Sequence, residues 1–157
     1  MVSLFSYVSA TRNPWCEQGM VPGRQERAMT TFEHEIEVRF RDCDALGHVN
    51  NAVYLTYLEQ ARFAHWQRLT GVIGIPRSFI LARVECDYRA QATVGERLIV
   101  RLHVASVGNS SFTFEYEVVN GRTREVVATA RTVQVMYDYA AGRSVRIPDD
   151  VRARLEG

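Results

Sequence analysis

The sequence DCDALGHVNNAVYLTYLE, residues 42–59, decides the fold because it joins a strand pattern to a helix pattern. Asn50 is a good helix N-cap, and apolar side chains follow it at helical spacing as far as about Leu69. Thr70 and Gly71 predict the end of this helix. The acidic residues ahead of the cap therefore lie beside unpaired backbone N–H groups and the positive end of a helix dipole. That arrangement can hold an anion or polarise a carbonyl.

Alternating apolar residues predict strands on both sides of the helix. Ile36, Val38 and Phe40 alternate with charged residues, which is typical of a half-buried strand. Four strand-like stretches follow Pro76, and a short helix after Pro148 closes the chain. The stretches cover about 79–88, 98–104, 112–118 and 125–137. The sequence thus predicts an α+β domain in which a five-stranded antiparallel sheet wraps a long helix, with the last four strands forming a meander.

One helix cannot cover a sheet of this width, although several strands carry apolar residues on both faces. The uncovered edge and face predict self-association, because a dimer can pair edge strands into a continuous sheet.

Composition excludes several classes of protein. The 157 residues fit one domain, and 19 Lys and Arg against 18 Asp and Glu give no sign of a nucleic-acid or membrane-surface binder. No apolar run approaches the roughly 20 residues that span a bilayer. Three cysteines without metal-ligand spacing predict a reduced, cytoplasmic protein with neither disulfides nor structural zinc. Residues 1–30 lack periodicity, so we expect a flexible extension or a later translation start, and a domain over residues 31–157.

Asp44 is the sharpest candidate for chemistry, since it follows the strand on a polar loop six residues ahead of the cap. It is either a nucleophile or general base acting on a carbonyl, or a turn residue held by Asx-type hydrogen bonds. The backbone N–H of Asn51, in the first helical turn, is a candidate oxyanion donor. His48 either shuttles a proton or orients Asp44. Asp42 is expected to have a structural role, either on the outward face of the strand or paired with a neighbouring arginine.

The helix carries further candidates. Glu59 is either a second active-site carboxylate or the partner of Arg62 in a helix salt bridge. Tyr54 is expected in the core or in the lining of a pocket. Cys43 is an unpromising nucleophile, because flanking aspartates disfavour its thiolate.

The run Asp42-Cys43-Asp44-x-x-Gly47-His48-Val49-Asn50-Asn51-x-x-Tyr54, followed by Glu59-x-Ala61-Arg62, resembles the 4-hydroxybenzoyl-CoA thioesterase-like branch of the hotdog-fold acyl-CoA thioesterases. The likeness extends over about residues 32–139. It implies a hotdog fold, Asp44 as the catalytic carboxylate, and Asn51 as the donor to the thioester carbonyl. It leaves open whether His48 is catalytic, and it implies that Tyr54, Glu59 and Asn50 support the substrate pocket.

The resemblance implies an acyl-CoA thioesterase that needs no metal or separate cofactor and works as a homodimer or homotetramer. A thiolate leaves readily because a thiol pKa of about 8.5 lies far below that of an alcohol. CoA is expected across a subunit interface, where basic residues meet its phosphates. The candidates are Arg83, Arg89, Arg101 and Arg131, with the turn at residues 109–111. The alternatives are a hotdog protein that binds acyl-CoA without cleaving it and, less favoured, a hotdog dehydratase.

Overall fold

The computed structural model describes residues 31–72 and 78–157, so the extension predicted over residues 1–30 lies outside the described part. The elements are β1 (Phe32–Glu37), a 3-10 turn (Phe40–Asp42), α1 (Asn51–Thr70), β2 (Phe79–Tyr88), β3 (Arg97–Val107), β4 (Ser111–Asn120), β5 (Val126–Asp138), β6 (Arg143–Ser144) and α2 (Asp149–Glu156). The predicted α+β class, long helix, five main strands and closing helix are confirmed. β6 is a two-residue addition that pairs with β5.

Local capping explains where α1 begins and ends. The Asn50 side chain accepts a hydrogen bond from the Ala52 backbone N–H at 2.9 Å. At the other end Gly71 adopts φ 74°, a left-handed conformation that glycine reaches without strain, and its N–H bonds to the Gln67 carbonyl. Leu58 and Ala61, with 1% and 0% of their surface exposed, lie on the face of α1 that packs against the sheet.

The strand order corrects the predicted four-strand meander. The order across the sheet is β1-β3-β4-β5-β2, so only β3, β4 and β5 form a meander, and β2 pairs with β5 at the far edge. β1 occupies the free side of β3, where Phe32 pairs with Leu102. Since β3 already has two neighbours, no place beside it remains for β2. The segment of residues 89–96 therefore crosses from β2 at one edge to β3, the strand next to the opposite edge.

Phe40 is a second correction, because the predicted alternation breaks before it. Val38 is buried at 1% exposure, but Phe40 is 86% exposed and opens the 3-10 turn. The chain turns there because Asp42 swings inward and accepts hydrogen bonds from Arg39. The strand therefore ends at Glu37 and the acidic loop begins earlier than the pattern predicts.

The helix leaves one part of its side of the sheet open. α1 lies against β1 and β3, and Trp66 near its end packs on Phe79 and Phe112. The β2 residues Leu81 and Val84 share this inner face, since they pair with buried residues of β5, yet they are 47% and 37% exposed. Within the described chain, β2 also has a free edge. The structure thus retains the uncovered edge and apolar face expected from the sequence.

Candidate active site

Asp42 holds the acidic loop in place through its buried side chain. Its side chain is buried and accepts hydrogen bonds from the Arg39 backbone N–H at 3.0 Å and from the Arg39 guanidinium at 3.0 and 3.1 Å. The Tyr57 hydroxyl donates to the same carboxylate at 2.9 Å. The expectation that Asp42 pairs with a neighbouring arginine is confirmed.

The electrostatics of this cluster agree with its geometry. Burial alone would raise the pKa of Asp42, but the hydrogen bonds from Arg39 and Tyr57 outweigh it and leave that pKa below its ordinary value. Burial and the bond to Asp42 raise the pKa of Tyr57. Asp42 is therefore ionised, and its role is structural, because its carboxylate is fully used in the hydrogen bonds that hold the loop.

Asp44 lies on a tight loop that closes on itself. Its backbone N–H bonds to the His48 carbonyl at 2.9 Å, and the Gly47 N–H returns to the Asp44 carbonyl at 3.0 Å. Gly47 adopts φ 80°, which the turn requires and which other residues rarely adopt. The Asp44 Oδ1 atom accepts from the Leu46 N–H at 2.8 Å, so the Asx turn considered as the structural alternative is formed. Asp44 is nevertheless exposed, and no described residue donates to its second oxygen.

The beginning of α1 presents one free donor. The Asn50 N–H bonds to the Asp42 carbonyl at 2.9 Å, the Ala52 N–H is capped, and the Val53 N–H bonds to the Asn50 carbonyl at 2.9 Å. Among the described residues nothing accepts from the Asn51 N–H, and Asn51 is exposed. The helix dipole adds positive potential at this point. An N–H that is free while its neighbours are bonded is suited to receive an oxygen of a ligand.

Asn50 and His48 differ from Asp44 in what their side chains contact. The Asn50 side-chain oxygen is used by the helix cap, so the residue has a structural role whatever its contact with substrate. His48 is half-buried beside Thr93, and its backbone rather than its ring holds Asp44. Its imidazole has no hydrogen-bond partner among the described residues. A proton-transfer role for His48 stays a prediction.

Glu59 and Tyr54 both lie on α1, after its first turn has begun at Asn51. Glu59 is 53% exposed at its side chain and stands 3.9 Å from the Arg62 Nη2 atom, which is the helix pair expected as the structural alternative. Tyr54 is buried, with its ring 5.3 Å from that of Tyr88 and 6.0 Å from that of Tyr57. Burial raises the pKa of Tyr54 to about 12. A place beside the substrate stays a prediction for both residues.

The arginines considered for CoA phosphates are all paired with acids. Arg101 bonds to Glu33 at 2.8 Å and to Glu117 at 3.2 Å. The other pairs are Arg83 with Glu85, Arg89 with Asp87, and Arg131 with Glu115. Several of these residues line a crevice of about 520 Å³ on the outer face of strands β2 to β5. This is the face of the sheet opposite α1. Carboxylates alternate with the arginines there, so this face of the sheet is poorly suited to binding the negatively charged phosphates of CoA.

Sequence reasoning missed two features of this region. One is Tyr88, whose hydroxyl donates to the Asn51 carbonyl at 2.9 Å. The other is a group of buried polar side chains on α1, including Arg62 and His65. No described residue bonds to the Arg62 Nε atom or to either ring nitrogen of His65. The inward alternation of β2, which ends on Tyr88, was the available signal for the first. The burial of the polar side chains becomes visible only when α1 is packed against the sheet.

Comparison with known proteins identifies the family. Residues 38–155 match the Thioesterase-like superfamily, and the chain belongs to it. A thioesterase from Thermus thermophilus, solved in complex with coenzyme A and Zn, is 33% identical, with 82% of this chain and 99% of that chain covered at a TM-score of 0.72.

Two further relatives agree with this assignment. A predicted thioesterase from Bacillus stearothermophilus is 29% identical, with coverages of 81% and 95% and a TM-score of 0.75. The long-chain acyl-CoA thioesterase FadM of Escherichia coli is 24% identical over 80% of this chain and 97% of its own length. The hotdog fold implied by the sequence motif is confirmed, and the relatives support thioesterase activity in general.

The described residues contain neither a group of metal ligands nor a helix that could span a membrane. Across residues 31–72 and 78–157, no three His, Cys, Asp or Glu side chains gather so that they could hold a metal ion. Neither helix in that part of the chain is long and apolar enough to cross a membrane.

Proposed function

We propose that this protein hydrolyses the thioester of an acyl-CoA to the free acid and CoA, as in the 4-hydroxybenzoyl-CoA thioesterase-like branch. Asp44 acts as nucleophile or general base, and the Asn51 backbone N–H stabilises the oxyanion. The observation that carries the proposal is the free Asn51 N–H at the start of α1, together with the exposed Asp44 carboxylate on the loop that leads into this helix. Membership of the Thioesterase-like superfamily supports the reaction class.

The chemistry needs one base and one donor. With Asp44 as base, its carboxylate removes a proton from water while the water oxygen bonds to the carbonyl carbon. The resulting oxyanion accepts a hydrogen bond from the Asn51 N–H, and such a donor lowers the barrier by about 3 kcal/mol. The C–S bond then breaks, and CoA leaves as a thiolate with the electron pair of that bond. With Asp44 as nucleophile, its carboxylate oxygen bonds to the carbonyl carbon and the C–S bond breaks, so that CoA leaves as a thiolate. Water then hydrolyses the resulting mixed anhydride, which releases the acid and restores the Asp44 carboxylate.

The remaining candidates support this reaction without replacing Asp44. Asn50 holds the first turn, while His48, Tyr54 and Glu59 are proposed to border the acyl and pantetheine groups. Because a thiolate leaves without a strong acid, we propose that no cofactor beyond the substrate's own CoA is required. A cytoplasmic location is proposed on the sparse cysteines alone.

We propose that the active unit is a homodimer or homotetramer. The free edge of β2 and the exposed inner-face residues Leu81 and Val84 support this, because a second copy would pair the edge and cover the apolar face. Tyr88 and Asn51 lie at the same end of β2, so the second copy would border the candidate site.

Thiol release from a panel of acyl-CoAs tests the proposal. The Asp44→Asn variant keeps the oxygen that accepts from Leu46, so it should retain the fold and lose at least about 100-fold in kcat. Asp138→Asn is the matched control, because Asp138 is another exposed aspartate whose Oδ1 accepts from two backbone N–H groups of a turn. Full activity of Asp44→Asn would refute the role of Asp44. Acyl-CoA binding without thiol release by the wild type would favour the non-catalytic alternative.

A further inference from the structure

Tyr88 joins two elements that are far apart in sequence. It is the last residue of β2, and its hydroxyl donates at 2.9 Å to the carbonyl of Asn51, the first residue of α1. Its ring meets that of Tyr54 edge-on at 5.3 Å. The side chain remains 47% exposed, on the inner face of the sheet. The contact therefore forms at the mouth of the candidate site.

The fold does not depend on this hydroxyl. In an α-helix the Asn51 carbonyl already accepts from the N–H four residues later, so it is satisfied without Tyr88. An exposed hydroxyl loses little when it bonds to water instead. The ring packing on Tyr54 needs no oxygen. The bond from Tyr88 therefore adds little stability. Its main effect is on the position of Asn51, the residue that carries the free N–H.

We propose that Tyr88 is a positioning residue for the oxyanion donor. The inference rests on the proposed thioester hydrolysis. The first turn of α1 is held on the loop side by the Asn50 N–H, which donates to the Asp42 carbonyl at 2.9 Å. Tyr88 holds it on the strand side. Between these two contacts the Asn51 N–H keeps one direction, which is what a donor to a developing oxyanion requires.

The effect on turnover follows from this geometry. Oxyanion stabilisation depends on the donor lying at hydrogen-bond distance from the oxygen of the transition state, and a small misplacement weakens it. Without the hydroxyl, the first turn of α1 keeps its cap and its bond to Asp42 but loses its tie to β2. We expect kcat to fall about tenfold, less than on complete loss of a donor, and KM to change less than about twofold.

The experiment compares Tyr88→Phe with Tyr139→Phe. Tyr139 is a matched control because it is 56% exposed and its hydroxyl also lies near a backbone carbonyl, that of Phe79 at 3.5 Å. Steady-state thiol release gives kcat and KM, and thermal unfolding gives the stability of each variant. The expected result is a lower kcat for Tyr88→Phe alone, with KM and the unfolding midpoint as in the wild type.

The pH profile of kcat separates positioning from proton transfer. If Tyr88 only positions the donor, Tyr88→Phe lowers the whole profile without moving its limbs. A moved or lost limb would overturn the positioning role, as would a wild-type kcat or an equal loss in Tyr139→Phe. These failures all require an active wild type, whereas absence of thiol release from the wild type would overturn the proposed function itself.

Discussion

The Tyr57 hydroxyl donates to the Asp42 carboxylate at 2.9 Å, beneath the loop that carries Asp44. Both side chains are buried, at 0% and 3% exposure, so the bond is shielded from water. Asp42 also receives the Asn50 N–H at its backbone carbonyl. The bond between Tyr57 and Asp42 therefore fixes the third residue of the 3-10 turn, and through it the start of α1, against the body of the helix.

Removing the Tyr57 hydroxyl is expected to destabilise the protein. Tyr57→Phe leaves a buried carboxylate short of one donor, and we expect a loss of about 2 kcal/mol in the free energy of unfolding. Arg39 still satisfies Asp42, which limits the loss. Tyr137→Phe is the control, because no described residue bonds to that hydroxyl. Denaturant unfolding measures the difference, and equal stability of the two variants would contradict the anchoring role.

The buried imidazole of His65 predicts a loss of stability in weak acid. Burial, with a smaller effect of Arg68, lowers the pKa of His65 to about 4, and its ring lies between Phe32 and Phe114. In the unfolded chain the pKa is about 6.5, so the unfolded state binds the proton first. This contribution to the free energy of unfolding therefore falls as pH drops from about 6.5 to about 4 and changes no further below that.

A His65→Leu variant tests this directly. Leucine fits an apolar site and cannot be protonated, so the slope of stability against pH between about 4 and 6.5 should become shallower than in the wild type. Unfolding free energies measured across this range give the comparison. His34→Leu, at a half-buried histidine of β1, is the control. An unchanged slope in His65→Leu would show that His65 is not the group responsible.

The sequence predicted the parts of the fold that depend on local signals. The cap at Asn50 and the glycine at Gly71 predicted the length of α1, and alternation predicted the buried faces of β3 and β4. It did not predict that β2 pairs with β5, because strand order depends on which edge β1 has already occupied. The alternation of β2 indicates that Tyr88 faces inward, but its contact with Asn51 spans 37 positions and cannot be predicted from a local pattern.

Self-association through β2 gives another prediction. Val84→Glu places a charge on the exposed inner face of β2, where burial against a second copy would cost the desolvation of that charge. We expect the variant to sediment as a smaller species than the wild type and to lose activity with it. Val72→Glu is the matched control, since Val72 is 50% exposed just beyond the end of α1. Identical sedimentation of wild type and Val84→Glu would place the interface elsewhere.

Three substitutions at Asn50 separate its capping role from the chemistry beside it. Asn50→Ala removes the side-chain acceptor for the Ala52 N–H, and we expect a loss of about 1 kcal/mol in the free energy of unfolding, with lower kcat. Asn50→Ser restores a neutral cap and should recover both.

Asn50→Asp also caps the helix, yet its charge lies one residue from the proposed oxyanion donor. It should keep wild-type stability while kcat falls, because the carboxylate repels the developing negative charge. Unfolding and thiol-release measurements on the same samples compare the two effects. If Asn50→Asp turns over as fast as Asn50→Ser, the oxyanion does not form at this end of α1.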